Sequence, residues 1–385
     1  MMIRRNLILF PLAVLFLLLG GRVSAHPATG IVVNRQGVIY FSDLETVWRL
    51  DAAGKPTVFR AGVSGRHVHQ LTVDEDGNIY GADISYVPST QKWINAVWRM
   101  SPSGQQTWLV APTENVPRGF SIHRDRAGST YFVEQNDHTK RETLLLKRTA
   151  GGEVLTVAGG AYGHADGRGA EARFSSVGGM AFARDGSLYM ADTTSLRRVS
   201  PDGDVRTIAT NLDAANKGDT KMFGGSYAML MGLAIDAGDN VYIADHGNRR
   251  VLKITRDGKY ARVLSAEIPW SPTGVAAAPD GSILVLEIGF TLPATYSGPR
   301  VRRISPDGTI KTLATIGAKE KTASQTRTKQ SAVSDASEND TAVARKTADA
   351  YEKNLAKVER GITAYFGLGF LAIVAVAGLS SFVRR

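Results

Sequence analysis

Three observations predict an all-β fold, a six-bladed β-propeller. Six segments share one strand–turn–strand pattern, short Gly turns recur at matching places in each, and no helical period interrupts them. The units begin at Gly30, Gln70, Gly119, Gly179, Gly232 and Gly274, so successive starts are 40, 49, 60, 53 and 42 residues apart. That spacing suits a four-stranded blade with variable loops. Exposed edge strands invite aggregation, and a closed radial array is the natural way to protect so many hairpin units.

Each unit decomposes alike. A short apolar strand (GLAID in the fifth unit) meets a Gly turn and a second strand (NVYIAD). A third strand ends in Arg or Lys plus an aliphatic or Met residue, as in Arg49-Leu50, Arg99-Met100, Arg198-Val199, Lys253-Ile254 and Arg303-Ile304. A further turn leads to a fourth strand. Asp202-Gly203, Asp257-Gly258 and Asp307-Gly308 are tight-hairpin dipeptides, because glycine accepts the positive φ such turns need.

The two ends differ from this body. Residues 1–25 read as a cleaved signal peptide: Arg4 and Arg5 precede an apolar run closed by Val23-Ser24-Ala25. Residues 26–317 are the propeller. Residues 318–360, rich in Lys, Thr, Ser, Ala and Glu, have the composition of a disordered linker. Within 361–385, the uncharged segment 362–383 would span about 33 Å as a helix and ends in Arg384 and Arg385. It reads as a single transmembrane helix with a short cytoplasmic basic end. The expectation is an exported protein at the cell membrane, its propeller on the periplasmic or extracellular side.

The formal charge of +10 does not belong to the propeller. Three charges lie in the leader, two at the C-terminus and a net two on 318–360, which leaves +3 for residues 26–317. A body so nearly neutral offers no footprint for a phosphate backbone, so nucleic acid is excluded as a partner. The absence of Cys removes disulfides, thiolate metal sites and catalytic thiols.

Within the fifth unit, Ala244-Asp245-His246-Gly247-Asn248-Arg249-Arg250-Val251 fits the segment A-D-x-x-N-x-R-[VI]. Residues 30–317 thereby resemble NHL-repeat propellers, in the wider gluconolactonase/regucalcin-like six-bladed group. The stretch from Gly163 to Asp192 resembles the joint that precedes many such blades. The resemblance specifies a fold more than an activity.

Strand order also assigns faces. Short Gly turns collect on one rim, whereas second-to-third loops and blade crossings share the other, with long segments at 84–96, 135–143, 158–178, 210–230 and 288–300. On that rim two rings are expected. One precedes the first strands (Thr29, His69, Arg118, Gly178, Met231, Thr273). The other closes the second strands (Asp43, Asp83, Glu134, Asp192, Asp245, Glu287). The resemblance implies that these acids hold their following loops rather than a ligand, with Asn248 and Arg250 in the same structural role.

Two functions are weighed. The preferred one is a binding module for a protein, glycan or small anionic ligand. It would use His67, His69, Arg118, Glu134, Trp93, Tyr227 and Trp270, with Arg118 beside His69 favouring an acidic group. No catalytic residue is assigned. The alternative is a metal-dependent hydrolase of the gluconolactonase kind, or a lyase, with Ca or Zn held by His69, His67 and Asp83. Gluconolactonase-type propellers hold their ion with Glu, Asn and Asp at blade starts. Thr29, His69, Arg118 and Met231 stand here instead, and an arginine there would repel a hard cation. Peptidylglycine lyase propellers hold zinc with several histidines, and only His69 matches. No cofactor is therefore required.

Overall fold

The computed structural model describes residues 28–317 apart from 52–53, 88, 116–120, 137–141, 215–228 and 292–294. The expected signal peptide, linker and C-terminal apolar segment lie outside the described residues. Among the described residues no helix is long and apolar enough to cross a membrane.

Six antiparallel sheets follow one another along the chain, their strands in sequence order apart from one added outer strand in blade four. Blade one comprises Ile31–Val33, Ile39–Ser42, Val47–Leu50 and Pro56–Arg60. Blade two comprises His67–Val73, Ile79–Val87, Lys92–Met100 and Gln106–Thr113. Blade three has Thr130–Asn136, Glu142–Arg148 and Val154–Ala161. Of its expected first strand, the described residues show a bridge between Arg124 and Thr130. Blade four comprises Val177–Phe182, Leu188–Asp192, Ser195–Val199 and Asp204–Ala209. Blade five comprises Leu230–Ile235, Val241–Asp245, Arg250–Ile254 and Tyr260–Ser265. Blade six comprises Trp270–Ala277, Ile283–Thr291, Thr295–Ile304 and Ile310–Thr315. This is an all-β six-bladed propeller; the described residues include one 3-10 turn, Gly169–Glu171, and no α-helix.

Hydrophobic clusters sit between blades rather than within them. Trp98 and Ile79 of blade two pack with Val32, Tyr40 and Val47 of blade one. Ile243 and Leu252 of blade five pack with Tyr189 and Leu196 of blade four. The ring closes the same way, with Phe41 and Trp48 of blade one against Leu284, Leu286 and Val301 of blade six.

Inner strands meet at a collar of glycines. A Cβ on Gly179 would lie 2.0 Å from the Met231 carbonyl oxygen, and one on Gly232 2.6 Å from the Gly274 Cα. One on Gly274 would lie 2.2 Å from the Thr29 carbonyl oxygen, and one on Gly30 2.9 Å from Leu71. Blades one, four, five and six begin with glycine because the backbone of the next blade occupies the space of a side chain. Blade two carries Gln70 at this position, and its Oε1 meets His123 Nε2 of blade three at 3.1 Å. The Asp-Gly turns behave as expected: Gly203, Gly258 and Gly308 take φ of 84°, 81° and 84°.

Two expected long loops are strand extensions. Blade two continues its second and third strands past Asp83 through the pairs Ile84–Asn95, Ser85–Ile94, Tyr86–Trp93 and Val87–Lys92. Blade six does the same past Glu287, ending at Thr291–Thr295. Both hairpins project from the rim expected to carry recognition. Part of 158–178 is also ordered: Gly167–Arg168 adds a fifth strand beside Asp204–Val205 and covers the outer edge of blade four.

Candidate functional site

The carboxylate ring forms, and at least five of its members are committed to the scaffold. Along each second strand the acid shares its face with residues that pack against the preceding blade, because side chains alternate with period two. Met190, for example, packs against blade three and lies on the Asp192 face. The acids therefore point between blades, where chain crossings arrive.

Each then finds local donors. Asp43 accepts from the Glu45 and Thr46 N–H groups at 3.1 and 2.8 Å and from Trp48 Nε1 at 3.0 Å. Asp83 accepts from Trp98 Nε1 at 2.8 Å and from Arg60 Nη2, at the end of blade one, at 2.6 Å. Asp192 accepts from the Ser175 and Ser176 N–H groups and from Arg197 Nη1 at 2.9 Å. Asp245 accepts from Arg250 Nε at 2.7 Å and Asn248 Nδ2 at 2.9 Å. Glu287 accepts from Arg300 Nε at 2.6 Å. Glu134 is half-buried at the equivalent place in blade three, opposite Leu144.

The cations continue outward to the crossing. Arg197 Nη2 donates to the Ala165 carbonyl at 2.7 Å, and Arg250 Nη2 to those of Leu212 and Ala214 at 2.8 and 2.9 Å. Asn248 Nδ2 also reaches the Asp213 carbonyl at 3.1 Å. The motif A-D-x-x-N-x-R-[VI] is thus a clamp that ties a blade to the chain entering it. In blades one and two an indole N–H stands where blades four, five and six use guanidinium. Trp98 can lie flat there because residue 81 is glycine; a Cβ at Gly81 would come within 2.2 Å of the ring.

Burial pushes the carboxyls of Asp245 and Glu287 up, against the pull of Arg250 and Arg300. Desolvation thus offsets much of the Coulomb gain, as expected for fully buried pairs. The clamps serve to fix blade position more than to add net stability.

The mouth ring is shaped by bulges. Val68 pairs with Asp83 and Leu71 with Gly81, so His69 and Gln70 together face one residue of the second strand. Gly178-Gly179 and Met231-Gly232 occupy the same bulge in blades four and five. His69 stays on the rim, its carbonyl accepting from Thr29 N and Oγ1 at 2.8 and 3.0 Å. Thr273 does not face the mouth: it is buried and donates to the Leu286 carbonyl at 3.4 Å.

The sequence-derived site residues are brought together only in part. His67 and His69 are neighbours, their rings edge to face with centroids 5.8 Å apart. Trp93 lies on the projecting hairpin, 57% exposed, with Tyr86 5.1 Å away across the strands. Trp270 is half-buried on blade six, one blade removed from blade two, beneath the Arg300 guanidinium at 4.4 Å. Arg118 and Tyr227 lie outside the described residues. As a divalent-ion cage, His67, His69 and Asp83 do not fit, because the Asp83 carboxylate is turned between blades toward Arg60 and Trp98. Among the described residues no three His, Asp or Glu gather in a metal-binding arrangement.

Two histidines outside that set are held neutral. Burial lowers His123, bonded to Gln70, to about 4, and lowers His246 to about 4 against the weaker opposing effect of its hydrogen bond to the Pro272 carbonyl. The folded state resists protonation while the unfolded chain accepts a proton near 6.5. Stability is therefore fully present above about pH 6.5 and declines as pH falls toward 4. His246 alone accounts for up to about 3 kcal/mol of this loss. Thermal unfolding across this window should show Tm falling with pH, and His246→Gln should flatten the slope.

Solved structures similar to this chain include three of known kind. The gluconolactonase of Xanthomonas campestris matches with 15% identity over 68% of this chain and 83% of that one, at a TM-score of 0.44. Virginiamycin B lyase from Staphylococcus aureus matches with 14% identity over 75% and 84%, at 0.42. Regucalcin, a calcium-binding protein from Agrobacterium tumefaciens, matches with 17% identity over 68% and 81%, at 0.43. The assignment of six blades rests on the strand pairings themselves and not on these matches. No protein-family model matches the chain, and no curated protein sequence matches it.

Proposed function

We propose that this is an NHL-like binding propeller whose loop-bearing rim engages a protein or glycan. In this reading it is exported and tethered to the cell membrane through residues 361–385. The observation that carries the binding role is the projecting hairpin of blade two, with Trp93 exposed beside Tyr86. A tilted aromatic pair on a two-stranded support offers large contact area at little conformational cost. His67 and His69 lie at the base of the same blade. The acids that could have served chemistry at the mouth are occupied by indoles, guanidiniums and loop N–H groups, which favours recognition over metal-assisted hydrolysis or elimination.

The full chain should be presented to an oligosaccharide array and to immobilised envelope proteins. The double change Tyr86→Ala, Trp93→Ala should weaken whatever interaction appears by at least about tenfold, as for a central aromatic anchor. Tm should stay within about 2 °C, because Trp93 is mostly exposed. Binding that survives the double change intact would remove the hairpin from the recognition surface.

A further inference from the structure

Arg249 occupies the variable position between Asn248 and Arg250, and it is only 4% exposed. Its Nη1 donates to the Pro269 and Trp270 carbonyls at 2.8 and 2.6 Å. Its Nε is buried without an acceptor. Arg197, Arg250 and Arg300 are comparably buried, and each sits on a carboxylate. Among the described residues no carboxylate comes within ion-pair distance of Arg249. Burial accordingly pulls its pKa below the usual arginine range. Nearby, Arg300 and Arg302 are matched by Glu267 and Glu287. Arg249 thus leaves one uncompensated positive charge between blades five and six.

The residue is also strained. Its φ is 51°, a left-handed conformation that a long side chain seldom adopts. The Arg249 N–H donates to the His246 carbonyl at 3.3 Å, so both side chains leave one tight turn. His246 is 2% exposed, and its Nδ1 lies 3.1 Å from the Pro272 carbonyl, which fixes the proton on Nδ1 and leaves a lone pair on Nε2. A buried charge without a counter-charge and a strained backbone at the same residue are costs that a bound anion would offset.

We propose that Arg249 and His246 form a site for one oxyanion group, a carboxylate or a phosphate, on the loop-bearing rim between blades five and six. Arg249 supplies charge-assisted N–H donors, and His246 Nε2 accepts from a hydroxyl or protonated oxygen of the same ligand. The site is distinct from His67, His69 and Trp93 of blade two and does not rest on the binding role assigned to them. Loss of either therefore reads separately.

The test is thermal unfolding and calorimetry of the full chain with inorganic phosphate or acetate, at ionic strength matched with chloride. At least one of the two should raise Tm saturably, as ligand linkage requires. A response to phosphate alone identifies a phosphoryl ligand, and a response to acetate identifies a carboxylate. Arg249→Met should abolish the rise, and His246→Gln should weaken phosphate affinity several-fold, acetate bringing no proton for Nε2 to accept. If Arg249→Met does not fold, Arg249→Lys decides, with affinity reduced at least about fivefold supporting the site and unchanged affinity overturning it. The proposal is equally overturned if neither anion stabilises beyond chloride, or if Arg249→Met responds as the parent does.

Discussion

Gly179→Ala should lower Tm by about 10 °C, one of the largest effects expected from adding a single methyl group. The new Cβ would sit 2.0 Å from the Met231 carbonyl oxygen, roughly half a normal contact distance, and that oxygen belongs to the backbone of blade five. No rotamer change relieves such a clash. The inner strands of blades four and five must separate, and the collar transmits the displacement to its neighbours. Overpacking commonly costs about 1–3 kcal/mol and more where backbone must yield, and for a domain of this size each kcal/mol moves Tm by roughly 2–4 °C. Gly151→Ala is the matched control. Its Cβ would meet nothing nearer than the Thr149 hydroxyl at 3.8 Å, so thermal unfolding should detect almost no change. Equal behaviour of the two variants would show that the collar is looser than the geometry requires.

Arg250→Met should destabilise by about 3–5 kcal/mol, although the intact pair with Asp245 contributes little net stability. The asymmetry follows from burial: both side chains are fully enclosed, and burial already pushes the Asp245 carboxyl up. Removing the guanidinium leaves that carboxyl with only Asn248 and strips the Leu212 and Ala214 carbonyls of a donor. The second change Asp245→Asn, made on top of Arg250→Met, should then cost little or recover stability. Denaturant unfolding of the four proteins in this cycle gives the coupling directly. Strict additivity would mean that Asp245 and Arg250 do not act as one clamp.

Much of this scaffold was legible because repetition converts weak local signals into a strong one. The six starts, the Asp-Gly turns and the acid closing each second strand are all visible by aligning the chain with itself. The structural role expected for Asp245, Asn248 and Arg250 agrees with their hydrogen bonds. The clamp partners of blades one and two were harder to see. Aligning the third strands on Arg49 and Arg99 draws attention to exposed residues, whereas the functional positions are Trp48 and Trp98, one residue earlier. The projecting hairpins escaped for a related reason. Asp83 and Glu287 mark the ends of second strands by analogy with Asp192 and Asp245, but strand pairing runs on past them. The alternation in Ile84-Ser85-Tyr86-Val87 against Lys92-Trp93-Ile94-Asn95 carried that signal. Arg60 reaching Asp83 across a blade boundary, and Arg249 buried at a variable position, depend on tertiary placement that no local pattern encodes.

The mouth carboxylates Asp43, Asp83, Asp192, Asp245 and Glu287 are committed to the scaffold, and in the proposed reading recognition falls to the rim beyond them. Elemental analysis of the purified full chain tests this most directly, combined with thermal unfolding before and after chelation. The expected result is no stoichiometric calcium or zinc and a Tm indifferent to EDTA. One tightly held divalent ion per chain, whose removal lowers Tm, would contradict it.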